Sequence, residues 1–427
     1  MKVLVVGSGG REHALVWKLA QSPNVSHVYC APGNAGIAQL AECVPIGVND
    51  FANLADFVKR TGIELTVVGP EEPLLHGIVD FFEEQSLPIF GPNKAAALIE
   101  GSKTFAKDLM EKYGIPTGAY QSFTSYDAAL AYVREQGAPI VIKADGLAAG
   151  KGVTVALTLA EAEEALHAMM VDDVFGDAAS RVVIEEYLAG EEMTLLSFVD
   201  GETVIPMVPS QDHKPAFDGD KGPNTGGMGT YSPVPHMDEA IVQQAVESIV
   251  IPTAKAMVKE GRPFRGILYT GLMITDKGPK VIEYNARFGD PETQVVLPRL
   301  ASDLAAIFLA AATGKLGECE VAWKPEAAVC VVMASEGYPG SYPKGCEITG
   351  LPANTDEAMV FHAGTAAENG RIVTSGGRVL GVTALGSDLY EAQRKAYDTV
   401  KQISFAGAHY RTDIGAKALQ KAEKKPS

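Results

Sequence analysis

The chain has 427 residues, 46% of them hydrophobic and 21% charged, with a formal net charge of −17. Such a length suggests about three globular domains with ample material for cores. The acidity argues against nucleic acid or an anionic membrane as the main partner, and five scattered cysteines without a CxxC pair argue against a disulfide framework or a zinc site.

In chain order, Met-Lys and four apolar residues before Gly7 are too few for a signal peptide. Residues 2–6 read as a buried parallel strand, Gly7-Ser-Gly-Gly10 as a turn and Arg11 to Gln21 as a helix. Further strands are expected at Val25 to Cys30, Ile63 to Val68 and Leu87 to Phe90. Strands alternating with helices predict a doubly wound α/β domain over residues 1–101. Gly7-Ser-Gly-Gly-Arg-Glu-His13 fails as a dinucleotide fingerprint, because Glu12 stands where G-x-G-x-x-G needs glycine and no acid ends the second strand. A glycine turn opening a helix still suits a single phosphate, with Gly9, Gly10, Arg11 and Glu12 at the turn. Asn34 and Glu71, in loops at the same sheet edge, are candidates to contact hydroxyls or an amine of that ligand.

A central region over 102–320 follows, with helices Lys103 to Tyr113 and Ser125 to Gln136. Strands Pro139 to Lys143 and Val153 to Leu157 flank Asp145-Gly-Leu-Ala-Ala-Gly-Lys151-Gly. That loop has one residue too few for a Walker A motif, lacks its Ser/Thr and lies between two strands. It reads as a glycine flap (145–152, with Gly150 and Lys151 at its end) closing over phosphates, and Lys143 would bring an ammonium from beneath. Strand Arg181 to Tyr187, strands Met193 to Val199 and Glu202 to Pro209, and a flap subdomain at about 120–192 make this region α+β. Ser210 to Gly229 is expected as a long irregular stretch carrying Asp212, Lys214, Gly226, Gly227 and Met228.

Strands at Leu268 to Thr275 and 281–287 close the region. On a strand, Glu283, Asn285 and Arg287 share one face, opposite Ile282 and Tyr284. The two oxygens suit Mg²⁺ and the guanidinium a phosphate or carboxylate. A plain solvent face is the competing account, weakened by the acidic Pro/Gly turn Phe-Gly-Asp-Pro-Glu that follows. Asp303 to Thr313 reads as a helix; its apolar part, Leu304 to Ala312, is about half a membrane span. A small mixed α/β domain over 321–427 is expected, with a strand at Ala328 to Met333, a helix at Asp388 to Ile403 and a frayed basic tail from Lys417. The chain is expected to be soluble, cytoplasmic and monomeric.

Six segments in one order, GSGGREH, GSK, IVIKADGLAAGKG, VIEEYLAGEE, GPNTGGMG and VIEYNARFGDPETQ, resemble the glycinamide ribonucleotide synthetases of the ATP-grasp family. The resemblance spans Met1 to about Ile414. It implies an ATP-grasp central domain and a ligase of purine synthesis that joins glycine to 5-phosphoribosylamine through a glycyl phosphate. Carried over, Lys103, Lys143, Gly150 and Lys151 would hold ATP phosphates. Glu185 and the backbone of Glu186 and Leu188 would read adenine, and Glu192 would take ribose. Glu283 and Asn285 would hold Mg²⁺ or Mn²⁺, and Arg287 the transferring phosphoryl or the glycine carboxylate. Asp212, Lys214 and 226–229 would line the glycine site; Gly9, Gly10, Arg11, Glu12, Asn34 and Glu71 would bind phosphoribosylamine. The alternatives are another ATP-grasp ligase or carboxylase and, from a different class, a nicotinamide-dependent oxidoreductase.

Overall fold

A computed structural model of the chain describes residues 1–148 and 150–424. Ala149, within the expected flap, and the last three residues lie outside the described residues.

The first sheet is parallel throughout. Strands β1 (Lys2–Gly7), β2 (His27–Pro32), β3 (Glu42–Cys43), β4 (Leu65–Val68) and β5 (Ile89–Phe90) stand in the order β3-β2-β1-β4-β5. Val3 to Val6 are fully buried, as a strand covered on both faces requires. Strand order reverses between β1 and β4, so the crevice beyond their C-terminal ends is the expected ligand position of a doubly wound sheet. Helix α1 (Gly10–Ala20) starts at that crevice.

The flap subdomain is a second, antiparallel sheet of β6 (Tyr120–Phe123), β7 (Ile140–Ala144), β8 (Val153–Ala156) and β9 (Val182–Glu186), in the order β6-β9-β7-β8. It has its own apolar cluster, in which Val133, Ile142, Leu166 and Ile184 are fully buried, separate from the two larger cores. The glycine loop joins β7 to β8, with Lys143 paired to Val153.

The third sheet joins β10 (Glu191–Asp200) and β11 (Thr203–Pro206) to the long hairpin β16 (Arg265–Thr275) and β17 (Gly278–Asn285). The ladder slips between Gly271, opposite Glu283, and Leu272, opposite Val281, so Ile282 is an extra residue. Two expectations change here. Val281 and Tyr284 are the buried pair, with Ile282 only half-buried, and the strand ends at Asn285, so Arg287 lies beyond it.

The stretch expected to be irregular after Ser210 is largely strand. β12 (Gln211–Asp212) and β15 (Gly229–Ser232) pair with each other around the hairpin of β13 (Pro215–Phe217) and β14 (Lys221–Asn224). β15 then pairs with β18 (Ala327–Ala334), more than ninety residues later by their numbering, in a sheet of order β12-β15-β18-β22-β19. Its other members are β19 (Ala358–His362) and β22 (Arg378–Gly386), with the small hairpin β20 (Thr365–Glu368) and β21 (Arg371–Thr374) between them in sequence. The tail expected to fray from Lys417 is a helix over Ala416–Glu423.

Candidate active site

At the first glycine turn, Gly7 has φ of +135°, a conformation that favours glycine. The reason for small residues is Glu12. Its buried side chain fills the mouth between β1 and β4, where a Cβ on Gly7 would collide with it and one on Gly69 would lie 2.7 Å from its carboxyl carbon. Glu12 thus occupies part of the space a dinucleotide would enter. Arg11 holds it with two hydrogen bonds of 3.1 Å, from Nε and from Nη2. The amide of Arg11, at the start of α1, donates to Asp290 Oδ2 at 3.3 Å. The protein's own carboxylate therefore meets the helix end that was expected to bind phosphate.

Asn34 is likewise engaged within the fold. Its Oδ1 accepts from the amides of Gly36 and Ile37 at 3.0 Å, and its Nδ2 donates to the carbonyls of Ser8 and His362 at 2.8 Å. It latches the first domain to β19. Beside it, His13 Nδ1 accepts from the amide of His362 at 2.7 Å. Burial pushes the two imidazoles down, to about 3 for His13 and about 4 for His362.

Glu71 faces the other side of the crevice and meets Arg287: Nε of the arginine lies 3.1 Å from Glu71 Oε2 and 3.2 Å from Glu100 Oε1. Burial alone would raise the Glu71 carboxyl, but the Arg287 and Arg11 guanidiniums outweigh it and hold it below its usual value. Glu100, at the end of helix α2 (Lys94–Gly101), is pushed up to about 7 by burial. Arg11 Nη1 and Arg287 Nη1 both donate to the Phe288 carbonyl, at 3.3 and 3.2 Å. Two guanidiniums thus converge at one edge of the crevice, each paired there with carboxylates, Arg11 with Glu12 and Arg287 with Glu71 and Glu100.

Glu283 and Asn285 project from β17 as the alternation predicts, both half-buried while Tyr284 is buried. In the orientation that satisfies its neighbours, the Asn285 amide nitrogen donates to Glu100 Oε1 and to the Tyr284 carbonyl, at 3.0 Å each. Lys214 Nζ lies 3.3 Å from Asp212 Oδ2 and 3.9 Å from Glu283 Oε1. Asp212 beside it, more than burial opposes, raises the lysine well above its usual value. Glu292 closes the cluster: it is buried, its Oε2 has no hydrogen-bond partner among the described residues, and burial followed by repulsion from Asp212 pushes it to about 8.

The 226–229 loop is tied down more than expected. The Gly226 amide donates to the Tyr338 hydroxyl at 3.0 Å, and the Gly227 amide to Thr225 Oγ1 at 2.9 Å. Arg378 Nη1 donates to the carbonyls of Gly226 (3.0 Å) and Asp290 (2.9 Å). Met228 is fully buried, and both its backbone groups bond within the fold, to the carbonyl of His213 and the amide of Val332. The donors expected for an oxyanion are thus used internally at Gly226 and Gly227.

On the flap side, Lys143 is buried at the end of β7. Its Nζ lies 2.9 Å from Glu185 Oε2 and donates to the Ile282 carbonyl at 3.0 Å, bringing it one residue from Glu283. Lys103 Nζ donates to the Gly146 carbonyl at 3.1 Å, and Asp145 Oδ1 accepts from the Thr104 amide at 2.8 Å. The root of the glycine loop is therefore bound to helix α3 (Lys103–Tyr113). Lys151 reaches the Pro339 carbonyl at 3.5 Å and Gly150 has φ of +76°. Glu186, Leu188 and Glu192 line the return from β9 to β10, with Glu186 Oε2 accepting from the Ala119 amide at 3.0 Å.

Residues 1–100, 101–293 and 328–417 match, in turn, the N domain, the ATP-grasp (A) domain and the C domain of phosphoribosylglycinamide synthetase. A phosphoribosylamine–glycine ligase of Halalkalibacterium halodurans is 58% identical over 98% of this chain and 97% of its own. The chain belongs to the phosphoribosylglycinamide synthetase family. A second member, the phosphoribosylamine–glycine ligase of Vibrio parahaemolyticus, is 56% identical over the whole of both chains. The crystal structure of the phosphoribosylamine–glycine ligase of Thermotoga maritima superposes with a TM-score of 0.85 at 36% identity, covering 97% of this chain and 100% of that one. Membership makes the chain an ATP-using enzyme of the ATP-grasp class, and the oxidoreductase alternative falls away. Six residues around the site have no role in the sequence reading: Glu100, Lys107, Asp290, Glu292, Tyr338 and Arg378. Asp290 and Glu292 lie inside the most specific motif, so the signal was present; the other four act through partners far away in sequence.

Proposed function

We propose that the chain is a phosphoribosylamine–glycine ligase of purine synthesis, in which ATP, glycine and 5-phosphoribosylamine give glycinamide ribonucleotide, ADP and phosphate. The single observation that carries this reading is the approach of Lys143, beneath the glycine flap, to the residue preceding Glu283. A phosphate-seeking ammonium and an open carboxylate then border one cleft, beside the Asp212–Lys214 pair, whose lysine is partly exposed. The near-identity in length and domain order to ligases of that name supports it.

The chemistry needs two steps. The γ-phosphoryl of ATP passes to a carboxylate oxygen of glycine, and ADP departs with the bridging electron pair. The amine nitrogen of phosphoribosylamine then attacks the acyl carbon, the new C–N bond forms, and phosphate leaves with the C–O pair as the nitrogen loses a proton. Phosphorylation is needed because a carboxylate is a poor electrophile, and the acyl phosphate must be kept from water by a closing cover. Lys103, Lys143, Gly150 and Lys151 would hold the ATP phosphates, with Glu185, the backbone of Glu186 and Leu188, and Glu192 taking the nucleoside. Asp212 and Lys214 would orient glycine. The crevice between Gly9–Arg11 and Glu71, edged by Arg287, would take phosphoribosylamine.

Glu283 and Asn285 fit a divalent cation. The Glu283 carboxylate is about a third exposed and accepts no hydrogen bond among the described residues. Among the described residues, no three acidic, His or Cys side chains gather into a self-sufficient site. That suits Mg²⁺, which takes one or two protein oxygens and completes its shell with phosphates and water; Mn²⁺ would serve similarly. When bound, the cation supplies neutralising charge at the β- and γ-phosphates.

No helix among the described residues is long and apolar enough to cross a membrane. We assign the chain to the cytoplasm, since its five cysteines are free thiols, and take it to be a monomer, which size-exclusion chromatography would test. The functional reading itself is tested by ADP release with glycine and freshly made phosphoribosylamine omitted in turn. Release must require both; release indifferent to glycine would sink it.

A further inference from the structure

Helix α3 carries a buried lysine that the functional reading does not use. Lys107 is about 2% exposed, and its Nζ donates to Thr117 Oγ1 at 2.6 Å and to the Gly118 carbonyl at 3.4 Å. It also lies 3.5 Å from Glu185 Oε1, while the other oxygen of Glu185 lies 2.9 Å from Lys143. One carboxylate is thus held from both ends by two buried ammonium groups. Thr117 in turn donates to the Val281 carbonyl at 2.8 Å. Residues 117–118 are where the chain leaves the body of the protein for the flap subdomain, so Lys107 grips the carboxylate and the entry to the flap together.

Burying a second cation is expensive unless it does something for its partner. Burial indeed pulls the Lys107 ammonium down to about 8 against the opposing pull of Glu185. Lys143 alone would neutralise Glu185, but then the carboxylate and the phosphate-side ammonium would draw each other in. A second lysine at the far oxygen holds the Glu185 carboxylate aligned while leaving Lys143 free to share its charge with phosphates.

We propose that Lys107 is a positioning residue that sets nucleobase specificity, by fixing the Glu185 carboxylate where it accepts from the exocyclic amine of adenine and repels the carbonyl oxygen that guanine carries at the same place. This rests on the reading of Glu185 as the base-contacting residue. A misaligned Glu185 would lose both the attraction and the repulsion, so the loss falls on discrimination and not only on affinity.

The test compares kcat/KM for ATP and for GTP in the full-length enzyme, for the parent, Lys107→Met and Glu185→Gln. Lys107→Met is expected to shrink the ATP-over-GTP preference by roughly tenfold or more, as does Glu185→Gln, with KM for glycine unchanged. If Lys107→Met yields no folded protein, Lys107→Gln, which keeps a donor without the charge, takes its place with the same expectation. An equal loss for both nucleotides at position 107, with the preference collapsing only in Glu185→Gln, overturns the inference and leaves Lys107 a structural clamp. A preference left intact in Glu185→Gln overturns the base-reading role of Glu185 and the inference with it.

Discussion

The Asp290 carboxylate reaches the backbone amide of Arg11 across 279 positions of sequence, with Oδ2 3.3 Å from the nitrogen. Its Oδ1 accepts from Gln294 Nε2 at 2.8 Å and lies 3.7 Å from Arg378 Nη1. One acid of the ATP-grasp domain therefore joins the first helix of the N domain to the first residue of β22 in the C domain. Asp290→Asn removes the charge that complements the helix end and the arginine. It should lower unfolding stability by about 1–3 kcal/mol. Urea unfolding with an unchanged midpoint would refute this.

Asn34 has its amide engaged with five backbone partners, so we expect a stability role. Asn34→Ala should cost about 1–3 kcal/mol by leaving buried or half-buried backbone groups unpaired. The folded fraction should keep its KM for phosphoribosylamine. Unchanged stability with a raised KM would return Asn34 to the ligand.

Glu283→Ala should leave the fold intact, because the side chain is partly exposed and its ion partner is 3.9 Å away. Turnover should fall by roughly 10²-fold or more, as for loss of a charge contact in the transition state. ADP release measured at saturating Mg²⁺ checks this, and near-normal rates would remove Glu283 from the metal site.

Tyr338→Phe deletes the hydroxyl that accepts from the Gly226 amide while keeping the ring packed beside Gly377. Losing one such bond costs about 1 kcal/mol. If the loop shapes the glycine site, KM for glycine rises roughly fivefold and KM for ATP stays put. Equal KM values for glycine in the two proteins would detach the loop from that substrate.

His13 and His362 give the pH dependence a sign. Their folded values, about 3 and about 4, lie below the usual 6.5 of the unfolded chain. Between those limits the unfolded chain binds more protons. The stability from keeping both rings neutral is therefore complete above about pH 6.5 and is lost as pH falls towards 4 and then 3, at about 1.4 kcal/mol per pH unit for each proton. His13→Asn keeps an acceptor for the His362 amide and removes one proton from the slope. Urea midpoints from pH 4 to 7 should fall less steeply in the variant; parallel slopes would exclude the pair as the cause.

Local patterns carried the regular parts of this fold. Apolar runs bounded by glycine gave the parallel strands around β1, and the period of two put Glu283 and Asn285 on one face. The bulge at Ile282 was not legible, because it is set by the partner strand. β12 and β15 were missed since two and four residues give no periodicity, and their pairing is decided by β18. At the site, Lys143 and the flap announced themselves through spacing. Glu100, Lys107 and Arg378 did not: each is an ordinary helix or strand-end residue locally, and only its partners make it special. Asn34 and Gly226 were visible as polar groups, but sequence cannot say whether such a group is spent on ligand or on backbone.

The sheet that contains β15 and β18 is woven from two stretches of chain whose intervening segment builds much of the central sheet. A fragment ending before Ala327 would keep β15 but strip its neighbour, baring a four-residue edge of fully buried character. Exchange of the C-terminal segment between relatives is thus a graft onto an open seam, in which the incoming β18 must fit a strand it did not evolve beside. The three family segments behave as interlocked parts, and recombination should succeed only at breakpoints that carry residues 210–232 along with the C domain.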